Sequence, residues 1–505
     1  MLESYVKKIL SAKVYDLAQE TPLTLAPALS KRLGCEVMLK REDLHSIFSF
    51  KLRGAYNKMA HLSSSERSRG VITASAGNHA QGVSVAANKL NIKATVVMGM
   101  NTPSIKIDAV RNYGAKVILH GDSYDEAAQF AYAKSKLEKS IYIHPYDDPL
   151  VIAGQGTIGM EIASQHPTDI DAIFVPVGGG GLIAGIAAYF KYLRPRTKII
   201  GVEAEGSACL YEAKRSGKRI KLAKETLDLF ADGVSVSQVG KESFKVARDY
   251  VDTVVKVSTD EICAAIKDVF EDTRAIPEPA GALAVAGMKK YLSRPKRDFS
   301  TVVSIVSGAN VNFDRLRHIS ERAEIGEERE AIFAVTIKEK KGSFLKFCGD
   351  LGRRSITEFN YRKTDDQSAN VYVGLEIAQK EDRSDLLRKL RGRGYRVLDM
   401  TKNEAAKVHI RHMVGGPKQG SETELLFRFE FPERPGALLE FLSVVGARWD
   451  ISLFHYRNHG AAWGRVLVGF RSDNGKREEL SQYLEKIGYR YWEEDANPAY
   501  KMFLS

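Results

Sequence analysis

The 505-residue chain holds only four cysteines, Cys35, Cys209, Cys263 and Cys348, and none lies close to another or to a histidine at metal-ligand spacing. That scarcity excludes a disulfide framework and argues against a zinc site, so a reducing, cytoplasmic setting is expected. No segment is apolar for long enough to cross a bilayer, and Met1 to Lys8 mix charge into an amphipathic pattern in place of the unbroken apolar core of a signal sequence. No membrane partner is expected. Charge of one sign is not concentrated either: the 75 Lys and Arg exceed the 63 Asp and Glu, but they are interleaved, as in Lys338-Glu339-Lys340-Lys341 and Glu381-Asp382-Arg383. Without a basic stripe, nucleic acid is not an expected partner. The 44% hydrophobic and 27% charged content excludes a largely disordered chain. The length exceeds one ordinary core, so several domains are implied.

What is present is first an alternation. From Glu36 to Ser307, β-branched runs alternate with helical patterns, among them Val71-Ile72-Thr73, Ala94 to Met98, Ala172 to Val177, Lys198 to Val202 and Val302 to Val306. Continuous apolar strands between helices predict a parallel sheet covered on both faces, an α/β architecture. Near His318 the pattern turns into the charged stretch Glu321 to Glu330, read as a last helix running into a linker.

Beyond that boundary the chain repeats itself. Glu339-Lys340-Lys341-Gly342-Ser343-Phe344-Leu345 answers to Glu433-Arg434-Pro435-Gly436-Ala437-Leu438-Leu439, Val371-Tyr372-Val373-Gly374 to Val466-Leu467-Val468-Gly469, and Gly394-Tyr395-Arg396 to Gly488-Tyr489-Arg490. Each copy predicts strand, helix, strand, strand, helix, strand, the ferredoxin-like order. The expected domains are residues 1–325, 331–405 and 424–498. A duplication of this kind serves ligand binding or assembly alone.

Three segments carry the candidate chemistry. Ser49-Phe50-Lys51-Leu52 opens a helical pattern and places an amine near a helix start. A lysine freed of its proton by desolvation condenses with an aldehyde, although most lysines are surface groups with buried stems. Ser75-Ala76-Gly77-Asn78-His79 follows a strand and leads into a helix, whose free N–H groups suit a carboxylate; a plain capped turn reads the same way. Gly178-Gly179-Gly180-Gly181-Leu182 ends a buried strand and opens a helix, so the backbone can wrap a phosphate. A dinucleotide fold is the rival reading, since Glu203 ends the next strand; it leaves Lys51 unexplained. Ser307, closing a late strand, can present its hydroxyl to a pyridine nitrogen.

In this order the segments resemble the pyridoxal phosphate-dependent, tryptophan synthase β-like family, which includes threonine and serine dehydratases and serine racemase. The resemblance covers residues 5 to 320 and extends to Asp148-Pro149, Gly154-Gln155-Gly156-Thr157, Glu161 and Pro277 to Ala282. With the doubled C-terminal unit, the chain resembles biosynthetic threonine deaminases that carry ACT-like regulatory domains. The resemblance implies pyridoxal 5'-phosphate as cofactor, deamination of L-threonine to 2-oxobutanoate and ammonia at the first committed step of isoleucine biosynthesis, isoleucine and valine as effectors, and a homotetramer. Lys51 would be the Schiff-base lysine beside Phe50, Asn78 the ligand of the ring hydroxyl, Gly178 to Leu182 the phosphate loop and Ser307 the partner of the ring nitrogen. Ser75, Gly77, Asn78 and His79 would hold the substrate carboxylate. Glu278 would stand behind them, or be an exposed helix start, and Phe344, Glu433 and Leu438 would line effector sites. Ala76 replaces the serine that gives racemases a second proton donor. Ser207, Ala208 and Cys209 follow Glu203 where racemases complete a metal site, so neither racemisation nor that metal is expected. A serine dehydratase, a β-replacing synthase or a non-catalytic amino-acid sensor are the alternatives.

Overall fold

The structure, a computed structural model, describes residues 1–293, 299–326, 329–338, 343–352, 356–363, 368–377, 380–410, 423–432, 449–457, 463–472 and 477–503. The chain forms two compact units, Met1–Leu316 and Arg317–Ser505.

In the first unit every expected β-branched run becomes a strand. Residues such as Ile173, Phe174, Val302 and Val303 are fully buried, and a buried backbone satisfies its N–H and C=O groups only in a ladder or a helix. One sheet has six strands in the order Leu23–Leu25, Glu36–Arg41, Thr301–Val306, Ala172–Pro176, Lys198–Ala204 and Thr253–Val257. Only the Leu23–Leu25 edge is antiparallel. A second, all-parallel sheet has four strands in the order Lys116–Leu119, Ala94–Met98, Val71–Ala74 and Ile141–Tyr142. Helices cover both, with separate apolar cores around Ile173 and Ile183 and around Val96 and Val83. Because the strands run parallel, their carboxyl ends share an edge, where crossover loops leave room for ligands.

The second unit contains two antiparallel four-stranded sheets of identical order. The first runs Ile356–Lys363, Ser368–Glu376, Glu330–Lys338, Arg396–Asp399; the second runs Asp450–Arg457, Trp463–Ser472, Thr423–Pro432, Arg490–Glu493. Taken in chain order within each repeat, this is the ferredoxin-like arrangement expected from the duplication. Strand alternation sends Phe333, Val335, Val371 and Val373 to one core and Phe427, Phe429, Val466 and Val468 to another. Their neighbours Ile332, Ala334, Tyr372, Leu426 and Leu467 form a third core shared by the two sheets. Period-2 strands that are apolar on both faces need such a partner. Each repeat is followed by a short helix, Glu404–Val408 or Pro498–Phe503, that the repeat pattern does not announce. Asn403 and Asn497 begin them equivalently, accepting from Ala406 N at 3.0 Å and Ala499 N at 2.9 Å, and bond each other at 3.2 Å. Phe344 falls in the helix Ser343–Leu351, its side chain outside the described residues, and Glu433 and Leu438 lie outside the described residues altogether.

Candidate active site

Lys51, Ser75 to His79, Gly178 to Leu182 and Ser307 all follow the carboxyl ends of parallel strands in the first unit. Lys51 is the first residue of the helix Lys51–Ala60. Its Nζ donates to the carbonyl of Pro145 at 2.9 Å and stands 5.2 Å from the centre of the Phe50 ring. Burial disfavours the ammonium and lowers its pKa to about 8, while Glu278 pulls in the opposite direction. The amine is thus far easier to deprotonate than an exposed lysine.

The turn after Val71–Ala74 starts the helix Asn78–Lys89 with Gly77 as its cap residue. Ser75 Oγ accepts from Gly77 N at 3.2 Å, so the Gly77 N–H is already engaged, while the hydroxyl proton of Ser75 and the first-turn N–H groups of Asn78 and His79 suit an anion. The His79 ring is turned away: its Nε2 meets Ile143 O at 3.0 Å, and burial lowers its pKa to about 3. A neutral, buried imidazole cannot hold a carboxylate by charge, so His79 offers its backbone N–H alone.

The Asn78 side chain is held at both ends. Its Nδ2 donates to Glu278 Oε1 at 2.6 Å, and its Oδ1 accepts from Asn310 Nδ2 at 2.7 Å. Glu278 is therefore no exposed helix start. It is buried, and burial, reinforced by Asp232, raises its pKa to about 7. Asn310 lies three residues beyond Ser307 without a distinguishing signal, and the Pro145 carbonyl has no side-chain signature at all; sequence reasoning missed both.

Gly178 to Gly181 form a cradle that side chains would fill. Gly180 has φ +89°, a backbone region that favours glycine. A Cβ on Gly179 would stand 2.2 Å from the Tyr146 ring, and one on Gly181 would stand 2.8 Å from the Tyr146 carbonyl. Gly180 also caps the helix Gly181–Leu193, whose first-turn N–H groups and positive dipole end suit a phosphate. Tyr146 is fixed in turn by Asp147, which accepts from the N–H groups of Lys241, Glu242 and Ser243.

Ser307 is buried, and its Oγ donates to Ala280 O at 3.2 Å. A hydroxyl partner, unlike a carboxylate, does not charge a pyridine nitrogen. Glu203 spends its carboxylate on the N–H groups of Leu210 and Tyr211, both at 2.8 Å, and so caps the helix that begins at Cys209. Ser49 Oγ is buried without a partner, which fits a polar group entering beside Lys51.

Two residues beyond Lys51, Arg53 is completely buried. Its Nε and Nη2 donate to Glu42 at 2.7 and 2.9 Å, and its Nη1 and Nη2 donate to Glu161 at 2.5 and 2.9 Å. Lys40 Nζ donates to Glu161 at 2.6 Å, and His45 Nε2 meets Glu42 at 2.9 Å. The guanidinium ties the first turn of the lysine's helix to the helix Pro149–Gln165, and Gly154 lets the two backbones touch: a Cβ there would meet Arg53 O at 2.7 Å.

A deprotonatable lysine, a polar ring clamp and a glycine phosphate cradle at the carboxyl ends of strands of the two sheets define an enzyme class that carries an aldehyde cofactor on a lysine. The family of pyridoxal-phosphate dependent enzymes matches residues 14–308, and the C-terminal regulatory domain of threonine dehydratase matches twice, over 321–410 and 415–504. The biosynthetic L-threonine dehydratase IlvA of Burkholderia multivorans is 53% identical over 504 residues, covering 99% of each chain. That of Escherichia coli is 49% identical over 503 residues, covering 99% of this chain and 97% of its own. The processed form of threonine deaminase isoform 2 from Solanum lycopersicum superposes with a TM-score of 0.62 at 51% identity, covering 64% of this chain and 93% of its own. The chain belongs to the threonine dehydratase family of pyridoxal-phosphate dependent enzymes, and its cofactor is pyridoxal 5'-phosphate.

Proposed function

We propose that the chain deaminates L-threonine to 2-oxobutanoate and ammonia, and that its second unit places this reaction under control of an amino acid. The observation that carries this reading is the half-buried Lys51, whose amine is held by the Pro145 carbonyl and has its pKa lowered to about 8, beside the glycine cradle.

When bound, pyridoxal phosphate supplies the electron sink for negative charge at the substrate's α-carbon. The chain supplies the rest. Gly178 to Leu182 would hold the phosphate, Asn78 would donate to the ring hydroxyl, Ser307 would serve the ring nitrogen, and Phe50 flanks the lysine. Lys51 would be the attachment point, and its Nζ would be the base that takes the substrate's α-proton. Ser75 Oγ and the N–H groups of Asn78 and His79 hold the carboxylate, which keeps the α-proton in reach of Nζ. Ala76 has no proton to deliver from the opposite face, which favours loss of the β-hydroxyl over racemisation.

The doubled domain, as family resemblance suggests, takes isoleucine as inhibitor and valine as its opponent, in a cytoplasmic homotetramer. An effector of this kind must bind two conformations with different affinity. The test is a keto-acid assay with threonine and with serine, each with and without isoleucine, on the full chain and on a chain ended at Gly326. Expected are faster turnover of threonine than of serine, inhibition by isoleucine, and loss of that inhibition in the shortened chain. No keto acid from threonine would end the proposal; inhibition that survives truncation would end its regulatory half.

A further inference from the structure

Asn310 lies outside every role assigned above, yet it decides how Asn78 is presented. The two ends of an amide are nearly equal in size, so packing cannot choose which end faces which neighbour; hydrogen-bond partners choose. Asn310 Nδ2 donates to the Ile47 carbonyl at 2.7 Å and to Asn78 Oδ1 at 2.7 Å. A carbonyl can only accept, so the nitrogen of Asn310 must face Ile47, and its second N–H then demands an acceptor. Asn78 meets that demand with its oxygen, which sends its nitrogen to Glu278 Oε1 at 2.6 Å. Turning the Asn78 amide over would set nitrogen against nitrogen on one side and oxygen against a carboxyl oxygen on the other.

The anchor is built into the backbone. Phe48 has φ +54°, a conformation uncommon for a bulky residue and a cost that the surroundings must offset. Its carbonyl accepts from Ala309 N at 2.9 Å, and Ser49 bridges to Gly308. Consecutive carbonyls of Ile47 and Phe48, four and three positions before the lysine, thus engage Asn310 and Ala309 respectively.

We propose that Asn310 is a positioning residue, held by the Ile47 carbonyl, that fixes the orientation of the Asn78 amide and thereby guarantees that an N–H faces the ring hydroxyl of the cofactor. This rests on the assignment of Asn78 to that hydroxyl. Once the first N–H of Asn78 is spent on Glu278, the second remains for the cofactor; in the inverted amide only an oxygen would be offered to a group that is itself an acceptor when ionised.

The test uses the cofactor-loaded enzyme and reads the pH titration of the bound cofactor's absorbance, thermal stability and threonine turnover. Asn310→Asp keeps size but can only accept, so it inverts Asn78. The absorbance midpoint should move by about one pH unit or more, and kcat should fall by about 10²-fold. Adding Glu278→Gln gives the inverted Asn78 oxygen a donor. In N310D/E278Q, part of the lost stability should return, the Ile47 carbonyl still lacking its donor, while the absorbance midpoint stays displaced. A purely structural role predicts that both recover together, and that result overturns the proposal, as does an N310D enzyme that titrates like the wild type. Asn78→Ala separates the two levels: an unmoved midpoint there removes the Asn78 assignment itself, whereas a moved midpoint in N78A beside an unmoved one in N310D removes only the role of Asn310. If N310D does not fold, Asn310→Ser, which adds no charge, is judged by the same midpoint.

Discussion

The Nζ of Lys51 donates to the carbonyl of Pro145 at 2.9 Å, so the amine is held by a backbone dipole and not by a carboxylate. A backbone acceptor stabilises the ammonium only modestly, and burial prevails, taking the pKa to about 8. The rate at which cofactor-stripped protein takes up pyridoxal phosphate should rise with pH and level off above about 8, since only the neutral amine reacts. An exposed lysine would keep gaining beyond pH 10, where its ordinary pKa lies at about 10.4. Lys51→Ala should lose both turnover and the borohydride-trapped cofactor peptide; a trapped tag on any other lysine would contradict the assignment.

Glu278 titrates in the opposite sense to a paired carboxylate. Burial raises its folded pKa to about 7, above its unfolded value, so the folded state binds the extra proton. Stability linked to this group is complete below the unfolded pKa and declines as pH rises through about 7. Glu278→Gln keeps an acceptor for Asn78 without the charge. The melting temperature of E278Q relative to wild type should therefore increase between pH 5 and pH 8, and a difference independent of pH would refute the burial argument.

Gly179 tests the cradle. In Gly179→Ala the new methyl meets the Tyr146 ring, and overpacking of this kind costs about 1–3 kcal/mol. Because Tyr146 adjoins Pro145, the displacement also reaches the carbonyl that holds Lys51. Cofactor dissociation, followed by absorbance during dialysis, should be faster in G179A and slower again in G179A/Y146A. Equal loss in both variants would mean that the ring is not what the glycine accommodates.

Arg53→Met removes the cation from between Glu42 and Glu161, both buried. Breaking a buried pair by removing one partner costs about 3–5 kcal/mol, because the remaining carboxylates stay desolvated. Urea unfolding of the first transition should show a loss of that size. A loss below about 1 kcal/mol, the scale of a surface pair, would mean that water reaches the network.

The strands were legible because β-branched runs such as Ala172 to Val177 have one stable fate when buried, and the duplication because two copies of one pattern must fold alike. The glycine cradle and Lys51 announced themselves by residue type. Glu278 did not: a glutamate between two prolines looks like a helix start, and its burial against Asn78 comes from the packing of distant segments. The same holds for Arg53, whose partners Glu42 and Glu161 lie 11 and 108 positions away. Neither the His79 ring, turned to the Ile143 carbonyl, nor the helices after each repeat carried a periodic signal.

By itself, the order of residues determined the elements and the chemical groups on offer: a helix-starting lysine, a glycine run after a buried strand, an amide turn and a doubled α+β unit. Those follow from local stereochemistry and the period of apolar side chains, which neighbours in the chain suffice to set. Only the tertiary structure decided which group is neutral, which is charged and which way an amide points. Proton affinity and hydrogen-bond direction depend on desolvation and on partners that approach through space, such as Pro145 for Lys51 and Asn310 for Asn78.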